Sequence, residues 1–196
     1  MYNNDIFTYS DLLTSLSQSK FTSIGIDSGS EGWKYKIIND LNLIHLGKID
    51  NSFNIESFIR ESRIDGILDG SKVQNSFYFQ IDDVEVERNT RSISTGTAMI
   101  LRSFTRRLNY SLKEGQRVVF FTNIYDSLDR AGAQRQGSGD RFRGGSSVLY
   151  EANIALTIKD NKVTFVKNRY MDVNILNKIE LDPSQITDKD IYKPKI

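Results

Sequence analysis

Between Ser127 and Ser146 the stretch SLDRAGAQRQGSGDRFRGGS sets Arg130, Arg135, Arg141 and Arg143 against Asp129 and Asp140, among five glycines and one aromatic, Phe142. Guanidinium groups on a backbone too rich in glycine to join a core have the reach to meet phosphates, and Phe142 offers a face on which a base can stack. The same composition describes a solvated loop with incidental arginines. A second constellation is Lys167-Asn168-Arg169, at the end of KVTFVKNRY. Alternation on a strand sends both cations to one face, where fixed positive charge stabilises a transferring phosphoryl group, or simply guards a sheet edge. The third is GIDSGSEGWKYK, Gly25 to Lys36, with glycines at 25, 29 and 32 and a lysine at 34. A phosphate cradle of the form GxxxxGK[ST] needs backbone amides that approach closely, a lysine for charge and a hydroxyl for magnesium. Here Trp33 stands at the lysine position and Tyr35 replaces the hydroxyl after Lys34, so a turn leading into a helix competes with a phosphate site.

The elements that must position these residues alternate. DLLTSLSQ, Asp11 to Gln18, has apolar residues at 12, 13 and 16, a helical spacing that Thr8 or Ser10 can cap. KFTSIGID reads as a strand ending at Asp27, and EGWKYKIINDLN as a helix with Trp33, Ile37 and Leu41 on one face, Trp33 in the core. LIHLGKID is a second strand, NIESFIRESR a helix, and IDGILDG a strand that precedes Asp69. QNSFYFQIDDVEVERNTRS alternates at Phe77, Phe79 and Ile81 and then turns charged, which predicts an extended excursion. GTAMILRSFTRRLNYSLKEG is the longest helix, with Ile100, Leu101, Phe104 and Leu108 inward and Arg102, Arg106 and Arg107 outward. QRVVFFTNIY is a strand apolar enough to be buried on both faces. NIALTIKD and KVTFVKNRY, joined at Asp160-Asn161, read as an antiparallel hairpin.

This order predicts an α/β fold, a mostly parallel sheet flanked by helices with an antiparallel hairpin at one edge. Ligands in such sheets sit beyond the carboxyl ends of the strands, so Asp27, Asp69 and Asn123 are expected on one rim. At 196 residues the chain can bury a core, and 26 basic against 25 acidic residues restrict nucleic-acid affinity to a local patch. With no cysteine and one histidine, His45, thiolate metal sites are excluded and a histidine-based zinc site is not expected. No apolar run long enough to span a bilayer and no secretion signal is read, so a cytoplasmic location without membrane contact is expected.

Taken in order, these segments resemble the RecA-like recombinase and helicase core, the family of UvsX, RadA and the DnaB-type ATPases. KFTSIGIDSG is similar to the strand that ends on an acidic catalytic pair, with Gly29 where the water-activating glutamate would fall. IDGILDGSK is similar to the Walker B strand, which implies Asp69 as the magnesium aspartate. LRSFTRRLNYSLKEGQRVVFFTNIY is similar to the long helix and sensor strand, which implies a ligand role for Asn123, although Ile124 follows where a polar residue is usual. FRGGSSVLYEANIALTI resembles the end of the second DNA-binding loop with the helix and strand after it, which implies DNA contact for Arg130, Arg135, Arg141, Phe142 and Arg143. KVTFVKNRY resembles the strand whose basic residues, here Lys167 and Arg169, reach a neighbouring subunit's ATP. The family's phosphate loop lies ahead of the strand matched by KFTSIGID, and the residues before Asp11 contain neither glycine nor lysine.

The resemblance therefore implies a RecA-like paralog without a Walker A loop, compact in the manner of a phage-encoded protein. Residues 1–10 are expected as an N-terminal segment, 11–180 as the core domain and 181–196 as a polar tail. Expected partners are DNA, single-stranded by preference, and a RecA-type protein or further copies of the chain, in recombination, repair or replication. No catalytic residue and no cofactor of its own are implied; ATP and magnesium would lie at an interface with a partner. Two alternatives stand beside this: a small DNA-dependent ATPase using the atypical loop at Gly25 to Lys34, and a scaffold subunit that contacts no DNA.

Overall fold

Thr8 fixes the start of the first helix, α1 (Tyr9–Gln18). Its hydroxyl accepts from the Asp11 amide at 3.3 Å, and the Asp11 carboxylate accepts from the Thr8 amide at 2.7 Å, which closes a reciprocal cap. Those same hydrogen bonds hold the Asp11 carboxyl below its ordinary range. Leu12 and Leu16, one turn apart, then face the sheet and are fully buried. In the computed structural model of the protein, the residues described are 7–49, 76–81, 102–125, 141–142, 146–172, 179–187 and 190.

The sheet is built around β1 (Phe21–Ile26), every residue of which is buried. It lies parallel to β4 (Arg117–Tyr125) on one side and to β6 (Ile154–Lys159) on the other. Beyond β4 come β3 (Ser76–Ile81) and then β2 (Ile44–Ile49), both parallel. Beyond β6 come β7 (Lys162–Asn168) and the short β8 (Ile179–Glu180), both antiparallel to their neighbours. The strand order is β2-β3-β4-β1-β6-β7-β8, with β5 (Arg141–Phe142) paired on the end of β4. This is the expected α/β architecture, mostly parallel, with the antiparallel hairpin at one edge.

Both faces are covered. On one, α1 and α2 (Glu31–Asp40) press Leu12, Leu16, Trp33 and Ile37 onto Ile24, Ile26, Phe121 and Leu156. On the other, the helix over residues 102–111, α3, and α4 (Ser146–Glu151) contribute Phe104, Leu108 and Val148 to a cluster with Phe21, Phe79 and Phe120. Phe104 and Leu108 point inward and Arg102, Arg106 and Arg107 outward, as their spacing predicts; Ile100 and Leu101 lie outside the described residues.

The excursion expected around Phe77 is corrected. Residues 76–81 form a strand in the body of the sheet between β2 and β4, and Tyr78 is buried along with Phe77, Phe79 and Ile81. A strand covered on both faces shows no polar side, so the aromatic alternation there reflects two cores rather than one wet surface. The helix expected over 54–63 and the strand expected over 64–70 lie outside the described residues.

Two local devices matter for the site. The β6–β7 turn places Asp160 and Asn161 at φ 50° and 59°, the left-handed pair that a two-residue hairpin requires and that Asp and Asn tolerate. In β7 the register shifts, so that Leu156 faces Phe165 whereas Ala155 faces Lys167. The extra residue, Val166, turns Lys167 off the face shared by Val163 and Phe165 and onto the face of α4.

Candidate functional site

The chain leaves β1 through α2 for the far strand β2, whereas after β4 it crosses to β6 on the other flank of β1. The carboxyl end of β1 is thus the point where crossovers diverge, and this is where an open α/β sheet offers a ligand crevice. Register sets Ile26 beside Asn123 and Ile158, so Asp27 and Asn123 emerge together at this rim. The phosphate position, expected ahead of α1, therefore falls on the turn after β1.

That turn is short and closed. Residues Ser28–Ser30 form one 3-10 turn in which the Ser30 amide donates to the Asp27 carbonyl at 3.1 Å, and the Asp27 amide donates to the Ile158 carbonyl at 3.3 Å. Amides spent in this way are not available to a phosphate. The Asp27 side chain brings a carboxylate, with Oδ1 enclosed and lacking a hydrogen-bond partner. Gly32, in the first turn of α2, makes room for the tail: a Cβ there would lie 3.0 Å from Ile186 Cδ1 and 3.1 Å from its Cγ2. Trp33 is fully buried, as expected, and its indole N–H donates to Asn161 Oδ1 at 2.8 Å. The Lys34 ammonium sits 5.3 Å from the ring centroid of Tyr35 and 6.0 Å from that of Phe121. Burial raises the Tyr35 phenol above its ordinary value, with Glu31 adding to the effect. Burial, and then Lys34, lower the His45 imidazole against the opposing hydrogen bond from Gly47. Both respond to the partly closed aromatic corner that Lys34 occupies.

Asn123 is exposed at the rim, and the next two residues of β4, Ile124 and Tyr125, pair with Phe142 and Arg141. The basic glycine-rich segment is thereby tied at Arg141-Phe142 to the same rim as Asp27 and Asn123. Arg130, Arg135, Arg143 and Asp69 lie outside the described residues. An acidic pair that the sequence reading passed over, Asp82-Asp83, follows directly in the chain from the end of β3. Its signal was available, because FYFQIDD is an apolar run that stops on two carboxylates.

Lys167 and Arg169 stand at the other end of the sheet. Asn168 is in register with Ile154, the first residue of β6, so these cations lie about 20 Å from the rim, a six-residue strand at about 3.3 Å per residue. Within one chain they do not share a site with Asp27 and Asn123. The Lys167 ammonium donates to the carbonyls of Leu149 (3.0 Å) and Tyr150 (2.8 Å), the orphan acceptors at the end of α4, and Arg169 Nη2 reaches the Tyr150 carbonyl at 3.5 Å. Burial, followed by Arg169, lowers the Lys167 ammonium against the opposing pull of Glu151. Among the described residues no group of three or more His, Asp or Glu side chains is placed to hold a metal ion. Among them, too, no helix is long and apolar enough to cross a membrane.

The class so defined is an α/β protein with a diverging-crossover rim, a closed turn at that rim and a basic segment anchored beside it. No protein-family profile matches the sequence, and no curated protein matches it. Among solved structures the chain is similar to the ATPase domain of a replicative helicase, at 11% identity and a TM-score of 0.46, over 83% of this chain and 85% of that one.

Proposed function

We propose that this chain is a RecA-like paralog that does not cleave nucleotide by itself and acts through DNA, a RecA-type partner, or both, in recombination, repair or replication. One observation carries the reading: the turn at the position for triphosphate is closed on itself. Its Ser30 amide is spent within the turn, a carboxylate replaces open space, and the residue at the lysine position is a buried tryptophan. Negative charge and used amides oppose an anion of high charge, so triphosphate and magnesium do not fit this turn. The order of segments along the sequence, which resembles the family, supports the fold half of the proposal.

On this reading Arg130, Arg135, Arg141, Phe142 and Arg143 contact DNA, preferring a single strand, with Arg141 and Phe142 held by β5. Lys167 and Arg169, far from the rim of their own chain, serve ATP bound by a neighbouring protomer, and Asp69 and Asn123 are remnants of the nucleotide rim. The ATPase alternative needs Lys34 as its phosphate lysine, and the Lys34 ammonium lies over Tyr35 and Phe121.

The test is equilibrium binding of a fluorescent ATP analogue with magnesium, to the chain alone and mixed with a RecA-type protein from the same source. Binding only in the mixture, weakened by Arg169→Ala, is the expected result. Tight binding to the isolated chain that is lost in Lys34→Ala would reject the proposal in favour of the ATPase. Absence of any effect of Arg141→Ala/Arg143→Ala on salt-sensitive binding of single-stranded DNA would favour the scaffold reading.

A further inference from the structure

Six large apolar or aromatic side chains stand exposed among the described residues, and five of them, Tyr110, Tyr150, Val166, Tyr170 and Met171, fall at the end of α3, on α4 and at the end of β7. These three segments meet at one place. Arg106 of α3 binds Glu151 at the end of α4 at 3.3 Å, and Arg102, one turn earlier, lies over the Tyr150 ring at 4.6 Å from its centroid. The Arg169 amide donates to the Asn153 carbonyl at 3.0 Å, just after α4, and the Asn168 side chain accepts from the amides of Tyr170 and Met171, holding that turn outward. On α3, Arg102, Arg106 and Tyr110 recur at every fourth residue and so share one stripe. Tyr110 is 82% exposed, Tyr150 58% and Tyr170 56%.

Solvent contact on this scale is costly for aromatic rings unless something covers them. The charge around them narrows what that is. Arg102, Arg106, Lys167 and Arg169 surround the tyrosines, and Glu151, the acid that meets them, is engaged by Arg106. Rings with one open face, interleaved with guanidinium groups, match the two demands of a single-stranded nucleic acid: stacking for bases and positive charge for phosphates. Position agrees. The helix α4 follows the basic segment in the chain, and its last turn lies about 20 Å, one strand length, from the rim where Arg141-Phe142 is anchored.

We infer that Tyr110, Tyr150 and Tyr170, with Arg102 and Arg169, form a second nucleic-acid contact, a stacking platform at the amino end of the sheet that receives a single strand leaving the glycine-rich segment. This deepens the DNA-binding reading and rests on it. Bases stack on Tyr150 and Tyr170, and Arg102 and Arg169 meet the backbone between them. Sequence is not read, because every base has a stackable face.

The experiment is fluorescence anisotropy with labelled oligothymidine and with an abasic oligonucleotide of equal length, using wild type, Tyr150→Ala, Tyr150→Phe, Tyr170→Ala and Arg141→Ala/Arg143→Ala. Each tyrosine-to-alanine change is expected to weaken oligothymidine binding about 5- to 150-fold, the range of one lost base–aromatic stack. Tyr150→Phe keeps the ring and binds like wild type, and the abasic strand binds wild type and Tyr150→Ala equally. Because Tyr150 and Tyr170 are exposed, thermal melting of these variants stays at the wild-type value. Wild-type DNA binding that is lost in Arg141→Ala/Arg143→Ala but unchanged in both tyrosine variants overturns the platform and leaves the DNA reading standing. A wild-type chain that binds no oligonucleotide overturns both. If the tyrosine variants change sedimentation mass while DNA affinity holds, the face is a contact between copies and the platform is wrong.

Discussion

Trp33 and Asn161 are 128 residues apart in sequence and joined by one 2.8 Å hydrogen bond, which locks the first turn of α2 to the β6–β7 hairpin. Replacing Trp33 by Phe removes the donor and part of a fully buried ring. The net hydrogen bond contributes about 1 kcal/mol, and the lost ring area about as much again. Asn161→Gly removes the acceptor while keeping a residue that adopts φ near 59° without strain. Each single variant should therefore lose stability, with Trp33→Phe losing about 2 kcal/mol, or roughly 4–8 °C in Tm for a chain of this size. The double variant should recover about 1 kcal/mol relative to the sum, because the bond can be lost only once. Urea unfolding of the four proteins, with unchanged m-values, measures this directly. Additivity within about 0.3 kcal/mol would show that the hairpin does not hold Trp33, and would remove the reason for placing this side chain permanently away from the rim.

Three further outcomes follow from contacts of the same kind. Gly32→Ala gains helix propensity of about 1 kcal/mol but drives a methyl group against Ile186, so it should stabilise the protein in an Ile186→Ala background and fail to do so alone; thermal melts of the pair decide. Burial raises the Asp190 carboxyl, but hydrogen bonds from Thr187 and Asn39 and the nearby Lys36 outweigh it and leave the group below its ordinary value. The stability it provides is therefore complete above the ordinary carboxylate range, about pH 4, and is lost as pH falls through its folded value. Pepsin should accordingly cut the 179–190 segment increasingly as the pH drops, and Asp190→Asn should flatten that dependence. Lys167→Met retains the aliphatic stem but frees the last carbonyls of α4, at a cost of about 1–2 kcal/mol in urea unfolding, whereas Arg169→Met, with its longer contact, should cost less.

Where a segment had one wet side, its sequence was a sufficient guide: α1, with Thr8 as its cap, the inward Phe104 and Leu108, and the Asp160-Asn161 hairpin can all be read from spacing. The strand at Phe77 could not be placed in this way. Two-sided burial erases the polar phase that marks a strand's position, and the same burial hid the aspartates that follow it. The rim was partly legible, because carboxyl ends of strands are predictable from order, and this joined Asp27 to Asn123. What sequence order could not supply was the identity of the central strand, which depends on pairings between distant segments. Nor did alternation alone reveal that Lys167 closes a helix, since that requires the register shift at Val166. The exposed tyrosines carried a signal that went unused: Arg102, Arg106 and Tyr110 recur every fourth residue on the side opposite Phe104 and Leu108.

The pairing of β1 has a consequence for how the protein comes into being. Its neighbours, beginning at Val118 and Ile154, are synthesised about a hundred residues or more after Phe21. FTSIGI therefore leaves the ribosome as an apolar ribbon with both hydrogen-bonding edges vacant, and remains so until most of the chain has been made. Nascent chains stalled before β4 should be the species that aggregate or recruit chaperones, while those extended past β6 should not.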